Sequence, residues 1–307
     1  MKRTKHKNKP SAIITADWHL RESIPVCRTD DFWAAQHDKV VWISELQKEL
    51  GCPIIHAGDL FDHWKASPIL LSLFLANFPL DTSHDYEPQT SFWSIYGNHD
   101  LPMHSLDLRG KSGLYTLETA GAVQILNGYH WQQTPTDHFS ITLGKPGRRV
   151  LVWHVMTYQG KEPWPGCTDT PAKELLKQYP DADLIVTGHN HKSFVEEYEG
   201  RLLVNPGSIT RQTADQVDHE PCIYLWYAES NTVEKKIIPH QKGVISREHI
   251  ERKQEKEARY EAFIQRLKQE GDPELSFRKN LEKFFQQNKV VKSVRNLIYE
   301  KLEVKNG

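Results

Sequence analysis

Nowhere in the 307 residues does an apolar run approach the roughly 18 to 20 residues that a membrane span needs, so a membrane partner is not expected. Only four cysteines occur, Cys27, Cys52, Cys167 and Cys222, far apart and with no CxxC pair. That excludes a disulfide framework and a thiolate zinc site, and leaves inert thiols expected in a reducing, cytoplasmic compartment. No GxxxxGK(S/T) loop, long heptad run, internal repeat or low-complexity segment is present, so ATP hydrolysis is not expected of this chain. The start, "MKRTKHKNKPSAIITADWH", has a basic head but only a five-residue apolar stretch before Asp17, too short for a signal peptide.

Charge is nearly balanced at −1 but unevenly placed. Residues 1 to 10 carry five Lys or Arg and no acid, residues 241 to 307 carry a net +5, and the body between carries −11. Basic ends on an acidic body suit an enzyme that gathers a polyanion from its edges, and equally suit a solvated tail. Short β-type runs recur at 11–16, 53–57, 91–96, 122–126, 138–144, 148–154, 183–188, 201–205, 222–228 and 232–238. Between them the spacing predicts helices from Trp33 to Leu50, closed by Gly51, and at 67–78 and 170–179, each with Ser or Thr before Pro. Alternation of this kind predicts a largely parallel sheet, with the later strands adding a second sheet. After about 240 the pattern becomes helical, over 244–270 and again over 275–304, with a break at Gly271 to Pro273. Three segments are expected: a basic tail (1–10), a catalytic domain (11–240) and a helical extension (241–307) that caps the domain or binds a partner.

The chemistry-bearing residues sit where the predicted strands end. "ITADWHL" holds Asp17 and His19, "HAGDLFDHW" holds Asp59, "IYGNHD" holds Asn98, His99 and Asp100, "LVWHVM" holds His154, and "IVTGHNHK" holds His189 and His191. In extended chain, i and i+2 share a face, so His189 and His191 are expected to aim together, with Asn190 aimed elsewhere. An isolated HxH pair is more often a cap and a solvated ring. Five such blocks in order, however, converge beyond the carboxyl ends of parallel strands, where open sheets bind ligands. Two carboxylates, an amide oxygen and four or five imidazoles exceed one ion and suit two cations sharing a carboxylate. Without thiolate, this mix favours Mn, Fe or Zn over a soft metal.

The blocks "DWH", "GDLFD", "GNHD", "H" and "GHNH" resemble the five-block signature of calcineurin-like metallophosphoesterases, from residue 11 to about 239. The resemblance implies a four-layer αββα sandwich, here with a C-terminal helical extension. It implies one metal on Asp17, His19, Asp59 and His191, and a second on Asp59, Asn98, His154 and His189. His99, oriented by Asp100, would stabilise developing charge or protonate the leaving oxygen. "GDLFDHWKASP", "SIYGNHD" and "NPGSITRQTADQ" are similar to SbcD-type DNA repair exonucleases, including phage-encoded relatives. That implies a metal-dependent DNA exo- or endonuclease, with manganese foremost and iron, zinc or magnesium as alternatives. It also implies DNA as partner and a coiled-coil SbcC-type ATPase supplied in trans, with a homodimer left open. Arg211 is expected either to meet a phosphate or to shape a turn. Trp164, in "GKEPWPGCTD", is expected to stack a base or pack its loop, while Trp18, Trp93 and Trp153 read as core. The acidic body and the short extension leave a phosphoesterase acting on a small nucleotide or cyclic nucleotide as the alternative.

Overall fold

The structure is a computed structural model that describes residues 9–79, 90–127, 129–134, 140–269 and 277–303. The basic residues up to position 8, the start of the 138–144 strand and the Gly271–Pro273 break lie outside the described residues. In chain order the strands are β1 (Ala12–Thr15), β2 (Ile54–His56), β3 (Phe92–Ser94), β4 (Gln124–Ile125), β5 (Ile141–Leu143), β6 (Arg148–His154) and β7 (Thr157–Tyr158). They continue with β8 (Thr170–Pro171), β9 (Leu184–Gly188), β10 (Phe194–Tyr198), β11 (Arg201–Asn205), β12 (Cys222–Tyr227) and β13 (Thr232–Ile237). The helices of the same unit are α1 (Phe32–Leu50), α2 (Pro68–Asn77), α3 (Gly113–Thr119) and α4 (Ala172–Gln178).

Two main sheets form, in the orders β13-β12-β1-β2-β3-β4 and β10-β11-β9-β6-β5, with β7 and β8 as a separate pair. Period-2 alternation sorts their faces. Ile13, Ile54 and Phe92 pack with Val40 and Ile43 of α1 and Phe74 of α2. Their neighbours Ala12, Ile14 and Ile55 turn the other way and meet Val150, Val152, Leu184 and Val186 of the second sheet. The outer face of that sheet, Leu151, Ile185 and Leu203, is covered by Leu175 and Leu176 of α4. The layers are therefore helix, sheet, sheet, helix, the αββα sandwich expected.

Local chemistry closes the helices. Asp31 Oδ1 accepts from Ala34 N at 3.0 Å to start α1, and Gly51, at φ 54°, ends it. Ser67 caps α2 with Pro68 at its first turn. The helix expected at 170–179 begins two residues later, because Thr170 and Pro171 pair with Thr157 and Tyr158 instead. The strand β10 has no counterpart in the sequence reading, because its pattern "FVEEY" mixes half-buried and exposed positions along an edge.

The chain divides into two compact units, residues 1–245 and 246–307. The boundary falls after Ile245 because Thr29 N donates to Val244 O at 3.1 Å and Arg28 bridges to Ile245. The second unit has α5 (Glu248–Gln269), α6 (Phe277–Gln287) and α7 (Lys292–Glu303) around Leu281, Phe285 and Ile298. The single helix expected over 275–304 is thus two, parted where Lys289 takes a left-handed φ of 47°. Among the described residues, no helix is long and apolar enough to cross a membrane.

One buried group in the first sheet sets an acid sensitivity. His56 lies between Ser94 Oγ, at 2.9 Å from its Nδ1, and the edge of Trp18, and burial pushes its ring down to about 3. Below pH 6.5 the unfolded chain takes a proton that the folded chain refuses, so this stability is complete above 6.5 and is lost as pH falls toward 3. His56→Leu is expected to flatten the pH dependence of unfolding free energy between pH 6.5 and 4 by up to about 1.4 kcal/mol per pH unit. Denaturant titrations at several pH values check this; parallel slopes would refute it.

Candidate metal centre

All five blocks meet at one end of the sandwich. β1, β2 and β3 run parallel, as do β6 and β9 in the other sheet, so their carboxyl ends open together. The loops after β1 and β2 run side by side: Asp17 N donates to Gly58 O, His19 N to Asp59 O and Leu20 N to Leu60 O, each at 3.0 Å. This pairing lays Asp17 and His19 against Asp59 while Trp18, between them, turns into the core.

The turn backbone is unusual for such residues. Asp17, His19, Asp59 and His189 all have φ between 45° and 79°, a region that costs a non-glycine residue about 1 kcal/mol or more and gathers at functional sites. Space is equally tight. A Cβ on Gly97 would stand 2.1 Å from Asp59 Oδ1, and Gly58, at φ 89°, would press one to 2.6 Å from His154 Nδ1.

Among the described residues the ligand atoms gather as Asp17 with His19 and His191, and Asp59 with His154 and His189, the two groups that match the implied metal pair, while His19 also stands with Asp62 and His99 in a third. The Nε2 atoms of His19 and His191 are 3.0 Å apart. Asn98 Oδ1 stands 3.0 Å from both His154 Nε2 and His189 Nδ1. Asp59 Oδ2 lies between the groups, 3.3 Å from His154 Nε2 and 3.6 Å from His19 Nε2. The HxH pair therefore does not share a face. The left-handed turn at His189 sends that ring to Asn98 and the His191 ring to His19, while Asn190 turns away to donate to Thr157 O at 2.7 Å.

Protonation follows from burial and neighbours. Burial holds His19 well below the ordinary histidine value and His189 down to about 4, so both lone pairs are free at neutral pH. Burial raises the Asp17 carboxyl, against the pull of His191 and His154. Burial also works to raise Asp59, but His154 overrides it and keeps that carboxyl well below its usual range. In return His154, which burial alone would lower, is pushed up to about 9 by Asp59. Facing imidazole nitrogens, an amide oxygen between two more, and a carboxylate touching both groups suit a pair of divalent cations. The bond behind the His154 ring agrees: Nδ1–H donates to Ala57 O at 2.7 Å, which turns Nε2 inward.

Two site residues stand elsewhere than expected. Asp100 does not orient His99. It is fully buried, and its carboxylate accepts from the amides of Gly97 (3.1 Å), Asp59 (2.9 Å), Leu60 (3.4 Å) and Phe61 (3.2 Å), making it the brace of the GD turn. Burial and Asp59 push Asp100 up to about 7, against the amides that hold it down. His99 is held instead by donation from Nδ1 to Asp62 O at 2.7 Å, and its amide donates to Asp59 Oδ1 at 2.8 Å. Arg211 is only 3% exposed and donates to the Gln241 carbonyl, because the turn after Gly207 folds its side chain under α1. Gln212 takes the place by the centre and donates to His19 O at 3.0 Å. Trp153 and Trp18 are buried and Trp93 half-buried, as expected of core.

Trp164 is 48% exposed and lines a cleft of about 440 Å³ with Trp131, Met156, His154 and His189. Trp131 and Arg21 escaped the sequence reading. Trp131 stacks at 4.7 Å on His189, and Arg21 pairs with Asp62 at 3.1 Å beside His99. The only signal for Arg21 is its place two residues after His19.

Residues 12–224 match the profile described as the calcineurin-like phosphoesterase superfamily domain. A probable metallophosphoesterase of Methanothermobacter thermautotrophicus is 30% identical over 116 residues, which are 36% of this chain and 61% of that protein. The chain thus spans about six-tenths of the length of that curated relative. Among solved structures, a novel archaeal phosphodiesterase is 15% identical, with 74% of this chain and 98% of that one covered and a TM-score of 0.41. The TT1561 protein of Thermus thermophilus is 9% identical, with 76% and 100% covered and a TM-score of 0.41.

Proposed function

Because the chain belongs to the calcineurin-like phosphoesterase superfamily, we propose that it is a two-metal phosphodiesterase that cuts DNA, an exo- or endonuclease of the SbcD type serving repair, recombination or replication in the cytoplasm. The observation that carries the hydrolytic reading is Asp59 Oδ2 poised between the His19 and His154 nitrogens, with a ligand group on either side. Asp17, His19, Asp59 and His191 would hold one cation, Asp59, Asn98, His154 and His189 the other, and manganese suits these ligands. Such cations supply an acidified water and neutralise phosphoryl oxygens.

The protein's own residues do the rest. Asp62 O holds a proton on His99 Nδ1; when the ring is imidazolium, the second proton, on Nε2, is the one that passes to the leaving oxygen, and the ring returns to the neutral Nδ1–H tautomer. Trp164 and Trp131 offer flat apolar walls beside His189 on which a base can stack. The unit 246–307 is our candidate for engaging a coiled-coil ATPase in trans or a second copy. A second reading, hydrolysis of a small nucleotide, is favoured by the net −11 of residues 11–240, which a long polyanion would not choose.

The test is hydrolysis of end-labelled linear single- and double-stranded DNA by metal-stripped protein, with Mn, Mg or Zn added back. Manganese-dependent cleavage is expected. No cleavage, alongside turnover of a small phosphodiester, would put the second reading first. His99→Ala is expected to lower kcat by about 10²- to 10⁴-fold with both metals retained; equal loss of metal and turnover would remove its role as acid. Truncation after Ile245 is expected to spare a small chromogenic phosphodiester and impair DNA cleavage, and unchanged rates on both would refute a part for the helices.

A further inference from the structure

A second cavity, of about 490 Å³, lies beside α1 and shares no lining residue with the metal centre. Its inner wall carries Arg28, Lys39 and Arg211, all buried. Each nitrogen of Arg28 is engaged: Nε donates to Asp30 Oδ1 at 2.7 Å, Nη2 to Asp30 Oδ2 at 2.5 Å and Nη1 to Arg211 O at 2.9 Å. Those bonds use Asp30. Arg211 spends one nitrogen on the Gln241 carbonyl, and its buried Nε has no acceptor. Lys39 is only 3% exposed and, among the described residues, forms no hydrogen bond or ion pair, although its side chain lines the cavity. Asp31, at the start of α1, and Asp38 and Glu45, on its outer face, also line it and are all exposed to water.

Three buried cations against one engaged carboxylate is costly, since an ionised group removed from water needs a partner. Burial first, then the two guanidinium groups, push Lys39 down to about 8, against the weaker pull of Asp30 and Asp38. The free donors come from two directions, an ammonium on α1 and a guanidinium edge from the turn after β11. That arrangement matches a tetrahedral oxyanion, which accepts from several sides, better than a halide. Val41, Trp42 and Pro239 give the cavity an apolar wall and room beyond an inorganic ion.

We propose that this cavity is a binding site for a phosphate dianion, free or as the monoester of a nucleotide-sized body, with Lys39 and Arg211 as its donors. The placement would give Arg211 the first of its two expected roles, meeting a phosphate rather than only shaping a turn, but away from the metal centre.

Titration calorimetry and thermal melts of the metal-stripped full chain, with inorganic phosphate, adenosine 5′-monophosphate and adenosine, test it. Saturable binding of phosphate and of the monophosphate is expected, with none of adenosine. Tighter binding of the monophosphate than of phosphate identifies a monoester as the ligand, and equal binding identifies the free anion. Lys39→Met is expected to weaken binding about tenfold or more, to melt no lower than wild type in phosphate-free buffer, and to keep metal-restored turnover of a small phosphodiester. Lys39→Gln serves as the second variant if the methionine does not fold. Absence of saturable binding, or undiminished binding by the Lys39 variant, overturns the proposal and leaves water as the partner of these cations.

Discussion

Asp59→Asn is expected to abolish metal-dependent phosphodiester hydrolysis, with a loss of at least about three orders of magnitude in kcat/KM. Asp59 reaches both ligand groups, with Oδ2 near His19 and His154, and Oδ1 accepts the amide of His99. Asparagine keeps the volume and can keep the His99 bond through its oxygen. It removes the negative charge that two cations would share and that His154 now faces. A loss of several kcal/mol of charge stabilisation is therefore expected, and each 1.36 kcal/mol is tenfold in rate. The effect should appear first in metal content. Metal analysis of repurified protein should fall from two equivalents to one or fewer, while the melting temperature of the stripped protein stays within a few degrees of wild type. The His154 pH behaviour should change as well: Asp59 is the largest influence that offsets the burial lowering that ring, and without its charge only the weaker pull of Asp17 and the bond to Ala57 O remain against burial. A variant that keeps both metals and half its rate would remove Asp59 from the bridging role.

How much of this centre could be read beforehand depends on which physical rule governs each residue. The convergence of the blocks was legible because parallel strands in a sandwich must end on the same side, and Asp17, Asp59, Asn98, His154 and His189 each follow or close such a strand. The layer order was expected from the family resemblance alone, and its physical expression is the alternation of Ile13 and Ile14 between helix-facing and sheet-facing sides. Strand alternation carried past the strand held for Asp17 and His19, with Trp18 between them in the core, and failed at His189 and His191. His189 leaves β9 through a left-handed turn, so two-residue spacing no longer sets ring direction. Arg211 follows Gly207 at φ 71°, where nothing local shows which way the chain will fold. Trp131 reaches His189 from a segment that owes its place to Trp131 N donating to Tyr96 O at 3.1 Å, a long-range bond with no trace in neighbouring residues. Helix ends were readable where a cap residue announced them, as at Ser67 and Gly51. The α6–α7 break was not, since it turns on a single lysine in left-handed geometry.

Asp100→Ala should be the most destabilising single change near the centre, with a loss of about 4 kcal/mol in unfolding free energy and a melting temperature lower by about 10 °C. The carboxylate accepts from four backbone amides that have no route to solvent, those of Gly97, Asp59, Leu60 and Phe61. Each buried amide left without an acceptor costs about 1 to 3 kcal/mol, and relaxation of the turn recovers part of the sum. Because Asp59 sits on the braced turn, at a φ of 58° that it would not hold unaided, metal affinity should fall with stability. Asp100→Asn separates the contributions. It keeps one acceptor oxygen, adds an unwelcome donor among amides and removes the repulsion from Asp59, so an intermediate loss of about 2 kcal/mol is expected. Chemical denaturation of the stripped proteins, with metal titration of each, decides between a brace and an orienting partner for His99. If both variants unfold like wild type and lose only kcat, Asp100 acts on the reaction through His99 after all. If stability and metal affinity fall in the order alanine, asparagine, aspartate while the residual kcat per bound metal pair stays near wild type, Asp100 serves by holding the turn that carries Asp59.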